Sequence, residues 1–152
     1  MSVTDTDLGW KHIQRELRIF QELEIFIGFQ GIHGEVALVA THHEFGTEDM
    51  PARPFLRSAF DVAQAEIGKM VEKGVNSIMD DGKTALEAAN KLGLFGVTLV
   101  KKRIQDSPAW AEELAAVTIK AKKSTKPLVD TAQMINSVTY VIKQNGEQVA
   151  AG

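Results

Sequence analysis

Apolar positions recur along this chain with two periods, and the switches between them mark out its elements. Trp10, Ile13, Leu17 and Phe20 are spaced by three and four, which puts one apolar stripe on a short helix with Lys11, Arg15 and Arg18 off it. Asp5 or Thr6 stands where a cap for that helix would fall. The period then changes to two. Leu23, Ile25, Ile27 and Phe29 alternate with Glu22, Glu24, Phe26 and Gly28, as on a strand with one buried face. Gly28, Gly31 and Gly34 punctuate a turn. Over residues 35–45, Val36, Val39, Ala40 and His43 return to helical spacing; a short helix is expected, although the β-branched content also permits a strand.

A polar loop follows from Gly46 to Pro51. Pro54 falls where a first helical residue would be, since its missing N–H is not needed there. From it one long amphipathic helix is expected through Leu56, Phe60, Ala63, Ile67, Met70, Val71, Val75 and Ile78, until Asp80, Asp81 and Gly82 break it. Phe55 and Leu56 would anchor its start to the core. A second long helix is expected over 84–104, with Leu86, Ala89, Leu92, Leu99, Val100 and Ile104 inward. Gly93 and Gly96 lie inside it, each costing about 1 kcal/mol against alanine. Close packing against a neighbouring element would account for them.

Pro108 would end that helix, and 109–129 is the least regular stretch. Asp130 followed by Gln133 has the form of a cap for one helical turn. Val138, Tyr140 and Ile142 then alternate with Ser137, Thr139 and Val141 as a second strand, and Asn145-Gly146 is a strong turn signal. The sum is an α+β fold: a small, mainly antiparallel sheet packed on one face by two long helices, with an N-terminal helix. Two strands make a weak sheet. Either the irregular stretches add strands or neighbouring subunits complete the core.

Length and composition narrow the function. The 152 residues suit one domain. With 44% apolar and 24% charged residues the chain reads as an ordinary globular domain. Its net charge of -3 is unlike the strongly basic balance of a dedicated DNA-binding domain. The absence of cysteine excludes disulfides, thiolate metal sites and a cysteine nucleophile. The polar, acidic N-terminus does not read as a signal peptide, so synthesis in the cytoplasm is expected.

Candidate chemistry is sparse, and no enzyme is expected. His42, His43 and Glu44 invite a metal reading, but adjacent histidines on a helix point about 100° apart, whereas a helical zinc motif needs them four apart. His12 and His33 could join them only by folding. The glycines at 28, 31 and 34 match no phosphate-loop spacing. Asp80-Asp81 and Glu112-Glu113 are neighbouring acids rather than a pair in different environments across a cleft. Lys120, Lys122, Lys123 and Lys126 could touch phosphates, but no aromatic residues are interleaved with them for stacking. Contact with genomic DNA is therefore only weakly supported. Neither a catalytic residue nor a cofactor or metal site is assigned. The loop-to-helix junction is richer: Phe45, Arg53, Phe55 and Arg57 lie among Glu44, Glu48, Asp49 and Asp61. Arginine and aromatic groups so grouped suit a protein–protein contact, or an internal salt-bridged corner that fixes the loop.

The same residues carry a resemblance. Glu44-Phe45-Gly46-Thr47, a short spacer, then Pro51, Arg53, Pro54, Phe55, Leu56 and Arg57 resemble the signature of tailed-bacteriophage neck and tail proteins, called tail-completion, head–tail joining, virion-morphogenesis or minor tail proteins. Lys126, Pro127, Leu128, Asp130, Thr131, Gln133, Ser137 and Tyr140 resemble the C-terminal motif of that family. Thr118 and Lys122 fit the stretch before it. Ala132 departs from it, since glycine is usual there. The likeness spans 22–143 and leaves out the N-terminal helix, residues 1–20. It implies a structural protein of a virion or prophage, assembled in the host bacterial cytoplasm. It also implies a homo-oligomeric ring, often a hexamer, that meets other neck and tail proteins. A tail terminator capping the tail tube is the alternative within that class. A small metal-dependent enzyme and a DNA-binding module are the alternatives outside it. Glu44, Phe45, Arg53, Phe55, Arg57 and Asp130 are the interface candidates.

Overall fold

A computed structural model describes residues 7, 9–30, 34–107 and 133–152. The elements run α1 (Trp10–Glu22), β1 (Leu23–Phe29), α2 (Gly34–Phe45), α3 (Phe55–Val62), α4 (Gln64–Met79), α5 (Ala85–Gln105), α6 (Gln133–Asn136), β2 (Val138–Gln144) and β3 (Glu147–Ala151). The expected α+β class, the small antiparallel sheet and the helices on one of its faces are all present. Asp5, Thr6, Gly31, His33, Pro108, Glu112, Glu113, the four lysines of 120–126 and Asp130 lie outside the described residues.

The strands are ordered β1-β2-β3, all antiparallel. The third strand exists because Asn145 and Gly146 both take positive φ, 52° and 84°, the pattern of a two-residue turn whose twist suits a hairpin. The strands' inner faces meet α5 and α3. Val138, Tyr140 and Ile142 are buried there with Phe55, Ala59, Ala89, Val97, Val100 and Ile104. Leu23, Ile25, Ile27 and Phe29 pack against that core but are only half-buried, because β1 is an edge strand.

The two glycines of α5 meet the sheet. A Cβ on Gly93 would overlap the Tyr140 ring, and one on Gly96 would run into the Cδ1 end of Ile27. Close approach of helix and sheet explains both. The Tyr140 ring cannot easily give way, since its hydroxyl donates to Asn90 Oδ1 at 2.8 Å.

The expected first long helix is two helices. Ala63 breaks it with φ -108° and ψ 17°. Its N–H turns back to Phe60 O at 3.3 Å, and the Gln64 side-chain amide donates to the same carbonyl at 3.2 Å. Both halves lie along α5. Four residues of the apolar stripes are also exposed: Trp10, Val39, Val71 and Leu86. Small residues take the inward places instead, with Ala85, Ala88 and Gly74 buried.

α1 is anchored by a charge. Asp7 serves its start, accepting from Gly9 N at 3.1 Å and Lys11 N at 3.4 Å. Glu16 is 6% exposed and accepts from Ala85 N at 2.9 Å, the first N–H of α5. Thr84 and Glu87 complete that helix start with a reciprocal capping box. The hydrogen bond from Ala85 holds the Glu16 carboxyl below its ordinary pKa of 4.5, helped by Arg15 and opposed by burial.

Two outcomes follow for stability. A carboxylate with a lowered folded-state pKa stabilises above its unfolded pKa, and that share is lost as pH falls through the folded value. Chemical denaturation of the wild type should therefore weaken more steeply below pH 4.5 than that of Glu16→Gln. Gly93→Ala should cost about 1–3 kcal/mol through overpacking. Gly96→Ala should be near neutral, because the tip of Ile27 can rotate and the helix gains about 1 kcal/mol of propensity. Thermal melts of the two variants check this.

Candidate functional site

The corner between α2 and α3 is built around one buried carboxylate. α2 ends at Phe45, and Gly46 turns the chain with φ +77° while its N–H closes on His42 O at 2.8 Å. A Cβ here would lie 2.8 Å from Ala52 N and 2.9 Å from Met50 O, so backbone on both sides excludes any larger residue. Thr47 and Met50 then pair, with Thr47 N to Met50 O at 2.9 Å, which puts Glu48 and Asp49 at the exposed tip. The returning chain is tied to α2 by Arg53 N to His43 O at 2.6 Å.

Pro54 is the residue before α3 rather than its first, with ψ 73°. No side chain of its own caps the helix. Glu44 does so from α2: Oε2 accepts from Leu56 N at 2.9 Å and Oε1 from Arg57 N at 3.1 Å. These N–H groups have no partner within the helix, and the helix dipole favours a negative charge there. Glu44 is 5% exposed, and the Arg57 guanidinium stands 3.6 Å from Oε1. Arg57 also lies over the Phe45 ring, 5.8 Å from its centre. Below the corner Phe55 is fully buried, edge-on to Phe29 at 6.0 Å.

The structure divides the candidate residues. Glu44, Arg53 and Phe55 face inward; they brace the corner of their own chain. Phe45 is 70% exposed and the Arg57 side chain 63% exposed, so these two form the accessible surface. Arg53 and Arg57 do not share a helix face as their spacing suggests, because Arg53 lies before the helix and is buried. Its Nε finds no hydrogen-bond partner among the described residues. His42 is exposed and His43 buried, on different sides of α2, and His43 joins the corner through its carbonyl. Among the described residues no group of three or more His, Asp or Glu side chains gathers at metal-binding distance. No helix among them is long and apolar enough to cross a membrane.

Sequence reasoning missed the two buried glutamates as caps. Glu16 lies 69 residues from its partner and Glu44 twelve and thirteen from its two, so no local motif announces them. Beside the corner lies a groove of 410 Å³ between β1, α2 and α3, lined by Ile27, Phe29, Ala40, Phe45, Leu56 and Phe60 among others. It is apolar, with Arg57 at its rim.

Comparison with protein-family models, with curated proteins and with solved structures gives no match for this chain.

The geometry ranks two substitutions. Glu44→Ala removes two charge-assisted bonds and leaves two part-buried N–H groups without their acceptor, and should cost about 1–3 kcal/mol. Arg57→Ala loses one exposed ion pair and should cost less than about 1 kcal/mol. Urea denaturation of the pair tests this order; equal losses would overturn it.

Proposed function

We propose that this chain is a structural protein of a tailed-phage or prophage particle, acting at the neck or tail end as a tail-completion or head–tail joining subunit. The reading rests on one observation: two motifs resembling that family occur in the expected order, from Glu44 to Arg57 and from Lys126 to Tyr140. Physical features of the corner are compatible with it. The first motif folds into a rigid turn, whose hydrogen bonds and buried Phe55 hold Phe45 and Arg57 in a fixed exposed position. An aromatic ring and an arginine so held lose little freedom on binding a neighbour, which favours contact.

In this proposal the protein self-assembles into a ring and meets other neck or tail proteins. Head-to-tail contacts of that kind close by rotation. Phe45, Arg57 and the Glu48-Asp49 tip form one side of the contact.

Removing the gene and imaging the resulting particles by electron microscopy tests this directly. Heads and tails that fail to join, or tails left unfinished, are the expected result. Normal tailed particles would sink the proposal. The double variant Phe45→Ala, Arg57→Ala should keep the wild-type circular dichroism spectrum yet fail to complement the deletion.

A further inference from the structure

Among the described residues the sheet has two edges, β1 and β3, and they differ. β3 is short and is shifted in register next to Ile142 and Lys143. Such irregularities protect an edge from pairing. β1 runs seven residues without an irregularity in its pairing and without proline or lysine. Its backbone directions follow from the far side of the sheet. Tyr140 and Gly152 exchange both of their hydrogen bonds, at 3.1 Å each, so the N–H and C=O of Tyr140 point towards β3. Alternation turns those of Val141 towards β1, and Val141 is opposite Phe26. The N–H and C=O of Ile25 and Ile27 therefore point away from the sheet. Among the described residues nothing bonds to them.

Apolar surface gathers at this same edge. Phe26 is 45% exposed on the outer face, and the inner-face residues of β1 are only half-buried. α2 exposes Leu38 at 57% and Phe45 at 70%, seven residues apart on one side of the helix. The groove beside β1 continues that surface inward between Ile27, Phe29 and Phe60.

We propose that β1 is a self-association edge. Two copies of this chain pair their β1 strands antiparallel about a two-fold axis through Phe26, joining two three-stranded sheets into one of six. The strand is self-complementary in this register. Ile25 of each copy stands opposite Ile27 of the other, and the four outward N–H and C=O groups of each find partners. Leu23 stands opposite Phe29. On the outer face the two Phe26 rings meet on the axis. Glu24 stands opposite Gly28 of the second copy, so no like charges oppose each other. Glu24 stays beside its own cross-strand neighbour Lys143, whose ammonium lies 5.1 Å from the Phe26 ring centre. A second copy's β3 fits less well, since it is shorter and irregular in its pairing.

The contact is isologous and closes at two copies. It does not depend on the virion reading, and the two are tested separately.

The chain has no cysteine, so Phe26→Cys introduces a single thiol. On the axis, Phe26 would be a non-hydrogen-bonded pair with Cα atoms about 4.5 Å apart, within the range of a disulfide. Under mild oxidation Phe26→Cys should give a covalent dimer, and the control Glu147→Cys on β3 should not. Light scattering of the wild type should show a concentration-dependent dimer. Phe26→Glu puts two carboxylates on the axis while keeping each near its own Lys143; it should weaken the dimer about tenfold or more without changing the circular dichroism spectrum. A monomeric wild type at high micromolar concentration, equal cross-linking of the two cysteine variants, or unchanged self-association of Phe26→Glu would each overturn the proposal.

Discussion

The Glu44 carboxylate, sealed between α2 and α3, is the contact on which the corner depends. It meets two N–H groups that a helix start leaves unpaired and that burial would otherwise make costly. Because Glu44 belongs to the preceding helix, capping and tertiary docking are the same event. Once Leu56 N and Arg57 N are held, Phe55 is positioned under Phe29, and the start of α3 lies along the sheet. The loop between is fixed as a consequence. Gly46, closed in by Ala52 and Met50, could not be exchanged for a larger residue without moving that loop.

Glu16 repeats the device at the other end of the helical layer. It accepts from the first N–H of α5 while α1 and α4 pack alongside. Two buried glutamates thus fasten helix starts to helices distant or displaced in sequence. A charge in such a place is tolerable because its oxygens are filled by N–H donors and by an arginine nearby, Arg15 for Glu16 and Arg57 for Glu44. The arrangement makes α1 an integral part of the helical layer, although it lies outside the stretch that carries the family resemblance.

Between helices and sheet the decisive contact is steric. Gly93 lets the Tyr140 ring lie flat against α5, and the Asn90 amide holds the tyrosine hydroxyl in place. Gly96 meets the movable Cδ1 end of Ile27, a softer contact. The helical propensity lost at these two positions is offset by the depth to which the ring and the isoleucine are drawn in. β2 therefore forms the buried middle of the sheet, and β1, with no strand beyond it among the described residues, keeps its inner face half open.

Much of this was legible in the order of the residues. The periods of three-to-four and of two located α1, β1, α2, α5 and β2, since apolar side chains must leave water on one face of each element. Asn145-Gly146 announced a turn through its need for positive φ, though not the third strand that follows it, and the glycines of α5 announced a close neighbour. The break at Ala63 was not legible. Alanine is a strong helix former, and only the packing of both halves along α5 bends the chain there. Nor was the division of the candidate corner, in which Arg53 and Phe55 are buried while Phe45 and Arg57 are exposed. Local periodicity determines which side of an element is apolar. Which polar group meets which unpaired N–H is a matter of distance in space, and for Glu16 and Glu44 only the tertiary fold supplied it.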